Sequence, residues 1–379
     1  MKRVLAWAAL LLCLALPARG ESLDAALENT LSSLPLSDWQ RAYEQAFPQG
    51  ESLHSLVLRL ARGEQALDGE QLLRALAARL LNTLNGSLWR LARLMAPAIF
   101  CGVLQRMRAA FSKAALGEAL SAACFLMLAG CMAADLGQHI ALAHQTVTRM
   151  ADLMQSLFPL LLTLLAAVGG SAASAFFQPA VVAACGTMTA LVRSVTLPLS
   201  LAAGVTAVLN HLSEKMGIGR LAAFLRSASA WTLGIAFTVF ISVTALQSLG
   251  AAAADGISLR TAKYAVDNQV PVVGGMFADT MDTLVGASLL IKNALGLTGL
   301  LMLLSLAAVP LIQTLAAVIL YRASAALLEP LADRRVSACL QDFSDVLMLL
   351  FIIQLSVGAM FLLLVAQMLV VGNLTVMMR

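Results

Sequence analysis

Charge is scarce in this sequence. Only 12% of its 379 residues are Asp, Glu, Lys or Arg, whereas 60% are hydrophobic. A soluble domain carries about twice that share of charge, so the composition excludes a globular enzyme and points to an integral membrane protein. Basic residues do not gather on one polar face, which excludes a nucleic-acid footprint and any nucleic-acid partner. Cysteine is sparse too: the six stand at 13, 101, 124, 131, 185 and 339, leaving residues 21–100 without any. An exported domain there would hold no disulfide framework. Cys124 and Cys131 are seven apart and share a helix face, but no histidine or carboxylate stands beside them at metal-ligand spacing, so they read as small packing residues. The chain also lacks a Walker A loop, a zincin helix, a nucleophile elbow and a Gly-rich dinucleotide turn. No catalytic residue, metal or cofactor is expected.

What is present is a sequence of apolar runs. Met1 to Gly20 has the form of a secretory signal, with Lys2-Arg3, an apolar run from Val4 to Leu16, and small residues at 18 and 20. Residues 21–88 follow as an extracytoplasmic helical segment. Leu53, Leu56, Val57 and Leu60 recur at helical spacing, as do Leu72, Leu73, Leu76, Leu80 and Leu84. Nine acids and five arginines make residues 21–89 net negative. A segment this small is marginal alone, so it is expected to dock on a partner or on the rest of the chain.

Residues 89–379 form the membrane part. Apolar stretches fall at Trp89–Leu104, Ala114–Ala134, Leu153–Val168, Ala173–Val192, Val195–Leu209, Ala228–Ala254, Asn293–Leu320 and Val346–Val371. They predict seven or eight transmembrane helices and an all-α fold, a polytopic membrane bundle with a small exported helical segment. Eight spans put Arg106, Arg108, Lys113, Lys215, Arg220, Arg226, Arg322, Arg334 and Arg335 inside. Arg149, Arg193, Arg260, Lys263, Lys292 and Arg379 then fall outside, a bias in the direction of the positive-inside rule. His139 and His144 fall in one short loop of this scheme and His211 in a basic loop, where imidazoles are solvated. Gly169-Gly170 marks a break between two spans, and Glu329-Pro330 through Arg335 a compact charged hinge.

One stretch fits neither a clean span nor a soluble loop. Residues 255–292 carry charges, a break from Pro271 to Gly275 and a run of small residues. Asp279 and Asp282, three apart, share a helix face after Gly274-Gly275, with Lys292 about three turns beyond Asp279. Two readings stay open. The segment could enter the bilayer as a re-entrant helix and set Asp279, Asp282 and Lys292 beside a polar path. It could equally lie on the outer surface as an amphipathic helix with its carboxylates in water.

The run Asp255–Gly296 (DGISLRTAKYAVDNQVPVVGG, then ASLLIKNALG), Tyr321–Asp333 (YRASAALLEPLAD) and the terminal GNLTVMMR together resemble the stage III sporulation protein AE family of endospore-forming bacteria. The resemblance implies a multi-pass protein of the mother-cell membrane around the forespore. It further implies a channel or secretion-like apparatus shared with other stage III sporulation proteins and a forespore-membrane partner. A homo-oligomer is a separate expectation for the partners of this chain. It supplies no catalytic residue. Two other classes stay open on the residues alone: a secondary transporter using Asp279, Asp282 and Lys292, and the permease subunit of an ATP-driven system docking through Arg322–Asp345. The topology makes one prediction directly. A reporter fused after Arg379 is expected to be active only outside the cytoplasm, and cytoplasmic activity would contradict the arrangement.

Overall fold

The computed structural model describes residues 23–34, 36–46, 52–63, 114–212, 217–267, 274–330 and 334–377, with a few isolated positions between 74 and 100. The expected leader and most of Trp89–Leu104 lie outside the described residues, as do Cys13, Cys101 and Pro271. The described chain is all helical. Three short helices come first: α1 (Leu23–Ser32), α2 (Ser37–Ala46) and α3 (Leu53–Ala61). Five long rods follow: α4 (Ala114–Ala167), then α5 (Ser171–Leu191) joined through a π turn (Val192–Thr196) to α6 (Leu197–Asn210), then α7 (Gly219–Asp267), α8 (Gly274–Leu328) and α9 (Arg334–Met377). All five rods are long and apolar enough to cross a membrane.

Side-chain contacts fix their direction. The Tyr321 ring of α8 meets that of Phe343 of α9 at a tilt of 49°, Gln354 of α9 bonds Thr314 of α8, and Lys292 of α8 reaches Leu369 of α9, so α8 and α9 are antiparallel. On α4, Asp135 meets Tyr321, Leu136 lies against Gly204 and Leu157 against Gly299. Helix α4 therefore runs opposite to α8 and to α6. Helix α7 runs with α9, because Arg226 pairs with Asp345 and Thr244 with Gln367. The rods alternate down the chain as an up-and-down bundle.

Two pairs of apolar stretches expected as separate spans lie on single rods. Ala114–Ala134 and Leu153–Val168 belong to the unbroken 54-residue α4, about 81 Å long. Ala173–Val192 and Val195–Leu209 are joined by the π turn, where Leu197 N–H bonds the Val192 carbonyl. Pro198, at the start of α6, has no N–H to give, and a π turn is the usual local adjustment for a lost bond in an otherwise continuous helix. The real reversal comes at Val168-Gly169-Gly170. Gly169 has φ +101°, a conformation that side chains oppose, and its N–H bonds the Ala166 carbonyl at 3.0 Å.

Helix α8 is the central rod. From Val285 to Val318 no described side chain is exposed, because α9, α4, α1 and α3 all pack on it. The N-terminal helices thus dock on the bundle itself, burying Leu27, Leu31, Trp39 and Val57. Ser52 caps α3 by accepting from Ser55 N–H at 3.3 Å. Inside the rods, hydroxyls are satisfied locally: Thr146, Thr244, Thr298 and Ser324 each donate to the carbonyl four residues back. That is how a polar group is kept cheaply in an apolar bundle.

Rods in a bilayer gain little from hiding apolar surface and depend on close packing. Gly204 is such a point, since a Cβ there would overlap Leu136 and press on Val346. Gly204→Leu is expected to cost about 1–3 kcal/mol, read as a lower thermal midpoint of the detergent-solubilised protein. Gly234→Leu, where nothing lies within 4 Å, is expected to leave the midpoint unchanged.

Candidate functional site

Lys292 is the only lysine, arginine, aspartate or glutamate buried among the described residues, with 1% of its surface accessible. Its Nζ donates to the backbone carbonyls of Leu369 at 3.1 Å and Met368 at 3.5 Å. A helical carbonyl has a second lone pair free for such a donor. Gly372 makes room for the ammonium, because a Cβ there would overlap Nζ. Next to it, Asn293 Nδ2 bonds Asn373 Oδ1 at 3.1 Å. Among the described residues no carboxylate pairs with Lys292.

The other candidates share its helix but not its pocket. Gly274 and Gly275 form the first turn of α8, and Asp279 and Asp282 follow in the same helix. The side chains of residues 248–282 lie outside the described residues. Ten residues separate Asp282 from Lys292, about 15 Å of rise, too far for a direct ion pair. Residues 255–267 continue α7, so the semi-polar stretch comprises the end of one rod and the start of the next.

Further polar groups line the seams between the rods. Gln367 of α9 donates to Thr244 of α7 at 3.4 Å, and Gln354 donates to Thr314 of α8 at 3.2 Å. The amide oxygens of Gln247, Asn293, Gln354 and Gln367 are buried without a partner. Asn293 adjoins Lys292 in sequence, so a buried cation stands next to a residue with an orphaned acceptor, and unsatisfied groups in a membrane interior mark functional positions. Such a position can hold or pass a polar species. Among the described residues no group of three His, Cys, Asp or Glu could hold a metal ion.

At the other end, charges tie all five rods together. Asp345 of α9 bridges Arg226 of α7 at 2.9 Å and Arg322 of α8 at 3.3 Å. His211, at the end of α6, pairs with Asp342 at 2.9 Å, and Arg335 Nε donates to the His211 carbonyl. The Arg335 guanidinium also lies 5.5 Å from the Phe125 ring centre of α4, within cation–π range. Tyr321 donates to Asp135 at 2.8 Å. The Asp345 bridges are a third to a half exposed and worth under about 1 kcal/mol each. Their role is registration.

The histidines differ from their expected setting. His139 and His144 are not in a loop but midway along α4, and His211 is not merely solvated but holds Asp342. His139 is buried, and His144 Nε2 accepts from Arg193 Nε of the π turn at 3.0 Å. Polar residues in mid-chain read as a loop because a free span could not carry them, whereas α4 keeps them against neighbouring rods. The partners of His144, Asp135 and Gln354 lie 49, 186 and 40 residues away. No local spacing announces them.

The family model for stage III sporulation protein AE matches residues 52–372. The stage III sporulation protein AE of Bacillus subtilis (strain 168) is 32% identical over 333 residues, covering 87% of this chain and 82% of that protein. No solved structure matches.

Lys292 provides a test of the buried site. Replacing a buried charge that lacks a counter-ion with an apolar group of similar length relieves its desolvation cost. Lys292→Met is therefore expected to hold or raise the thermal midpoint in detergent. A loss above about 1 kcal/mol would show that the carbonyl contacts outweigh that cost.

Proposed function

Because this chain belongs to the stage III sporulation protein AE family, we propose that it is a multi-pass membrane component of a channel or secretion-like apparatus linking mother cell and forespore during endospore formation. The observation that carries the reading is the family match along nearly the whole bundle, joined to five rods that suit a bilayer. In this reading the chain is a conduit or structural subunit of the mother-cell membrane around the forespore. It works with other stage III sporulation proteins and a forespore-membrane partner. Residues 1–20 act as signal peptide, and the helices that begin at Leu23 stand on the outer side.

Charge supports this orientation. Arg226, Arg322 and Arg335 gather at one end of the rods with Asp342 and Asp345, the end that the positive-inside rule assigns to the cytoplasm. Lys292 and Asn373 sit toward the opposite end, with Asp279 and Asp282 farther along α8. A second reading, a secondary transporter for a small solute, draws its support from Lys292, since a buried cation with no carboxylate partner among the described residues suits ion or proton coupling.

Deleting the gene separates the two. The apparatus subunit is expected to be dispensable for vegetative growth, with spores arrested after engulfment. A transporter of growing cells would instead reduce uptake, and normal maturation of the mutant spores would contradict the proposal. With Asp279→Asn and Asp282→Asn combined, spore yield is expected to collapse while the protein still accumulates in the membrane. Full yield would place both carboxylates in water.

A further inference from the structure

The bundle is two-faced at the depth where it is most apolar. Contacts pin Asp135–Leu157 of α4 to the same height as Gly299–Tyr321 of α8, through the Asp135–Tyr321 bond and the Leu157–Gly299 contact. That interval rises about 33 Å, the thickness of a hydrocarbon core. On the α7 side it presents lipid-compatible surface, with Trp231 70% and Ile235 59% exposed. The α4 side presents the reverse. Among the described residues, no large apolar side chain is exposed between Leu128 and Val181.

What α4 exposes instead follows a seven-residue repeat. Cys124, Cys131, Gln138, Gln145 and Asp152 are successive equivalent positions, the first two half-buried and the last three exposed. Ala134 and Ala141 are exposed at intervening positions, Thr148 is half-buried at the next, and Gln155 is exposed three residues beyond Asp152, the 3-4 spacing of a helix seam. Arg149 is exposed one turn before Asp152, and neither has a polar partner among the described residues. An open groove of about 540 Å³ lies alongside, lined by His144, Gln155, Thr189, Arg193 and Ser194. Amides and charges on this scale do not face acyl chains.

We propose that the α4 face is a self-association surface, on which a second copy of this chain packs so that the polar stripe and its groove face a wet seam between copies. Copies inserted in one membrane share an orientation, so they are related by an axis along the membrane normal. Equal residues then meet at equal height. Arg149 of one copy stands one helical turn from Asp152 of the other, which makes the stripe complementary to itself, and Ala134 and Ala141 permit close approach. The run Trp89–Leu104 of the same chain carries its polar side chains at its start, Trp89, Arg90 and Arg93, and from Leu94 to Leu104 it has no amide or charge to meet Gln138, Gln145 and Gln155. This inference rests on where a bilayer must sit around the rods and does not depend on the sporulation role.

The native cysteines permit a test on full-length protein in membranes. Copper–phenanthroline oxidation is expected to yield a disulfide-linked dimer through Cys124 or Cys131, lost in Cys124→Ser with Cys131→Ser. In that background Gln145→Cys is expected to restore the dimer, and Ile235→Cys, at matching height on α7, is not. Absence of dimer from both the native protein and Gln145→Cys would overturn the proposal, leaving another chain or the residues before α4 as the cover. Equal cross-linking from Ile235→Cys would overturn it as well, as random collision. Spore yield is scored separately, so failure here leaves the functional reading standing.

Discussion

The seam between α8 and α9 runs from Lys292 on the Leu369 carbonyl to Tyr321 on Phe343, and every other rod takes its height from it. Helix α4 is set by the Tyr321 hydroxyl and by Gly299. Helix α7 is set by Asp345 and Gln367. Helix α6 is set by His211 on Asp342 and by the packing of Gly204. In a bilayer, where burial of apolar surface drives little association, close packing and a few polar contacts have to specify register. A slip of α8 against α9 would unmake the Lys292, Tyr321 and Gly299 contacts together, while α6 and α7 keep their register on α9. The half-exposed ion pairs between rods add little energy, but they distinguish one register from its neighbours.

That fixed register gives the sides of the bundle different solvents. The α7 face can meet acyl chains, whereas α4 at the same height cannot do so without cost. The seam around Lys292 is a third environment, buried, with an ammonium held only by carbonyl oxygens among the described residues. A structural subunit of a conduit and a solute transporter could each use such a point. The lysine alone does not separate the two.

The class of fold could be read from composition alone, because 60% hydrophobic content with so few charges leaves no alternative to the membrane. Rod continuity could not. The stretch from Asp135 to Asp152 contains His139, His144 and Arg149, and in a lone span that content would end the helix. It stays helical because His139 is buried between rods and His144 takes a bond from Arg193, facts that depend on residues far away in sequence. Gly169-Gly170 was legible as a break for the opposite reason, since a turn needs its unusual backbone locally. Lys292 stood out as a charge in an apolar run. Its partners did not, since backbone carbonyls carry no side-chain signature.

The central claim is that one bilayer layer is met by an apolar α7 and a polar α4. Paired nitroxide labels at Ile235 and Gln145, read by power-saturation electron paramagnetic resonance in reconstituted membranes, test it most directly. The account predicts that the label at 235 is relaxed mainly by oxygen and the label at 145 mainly by a water-soluble nickel chelate. Oxygen-dominated relaxation at both sites would contradict it.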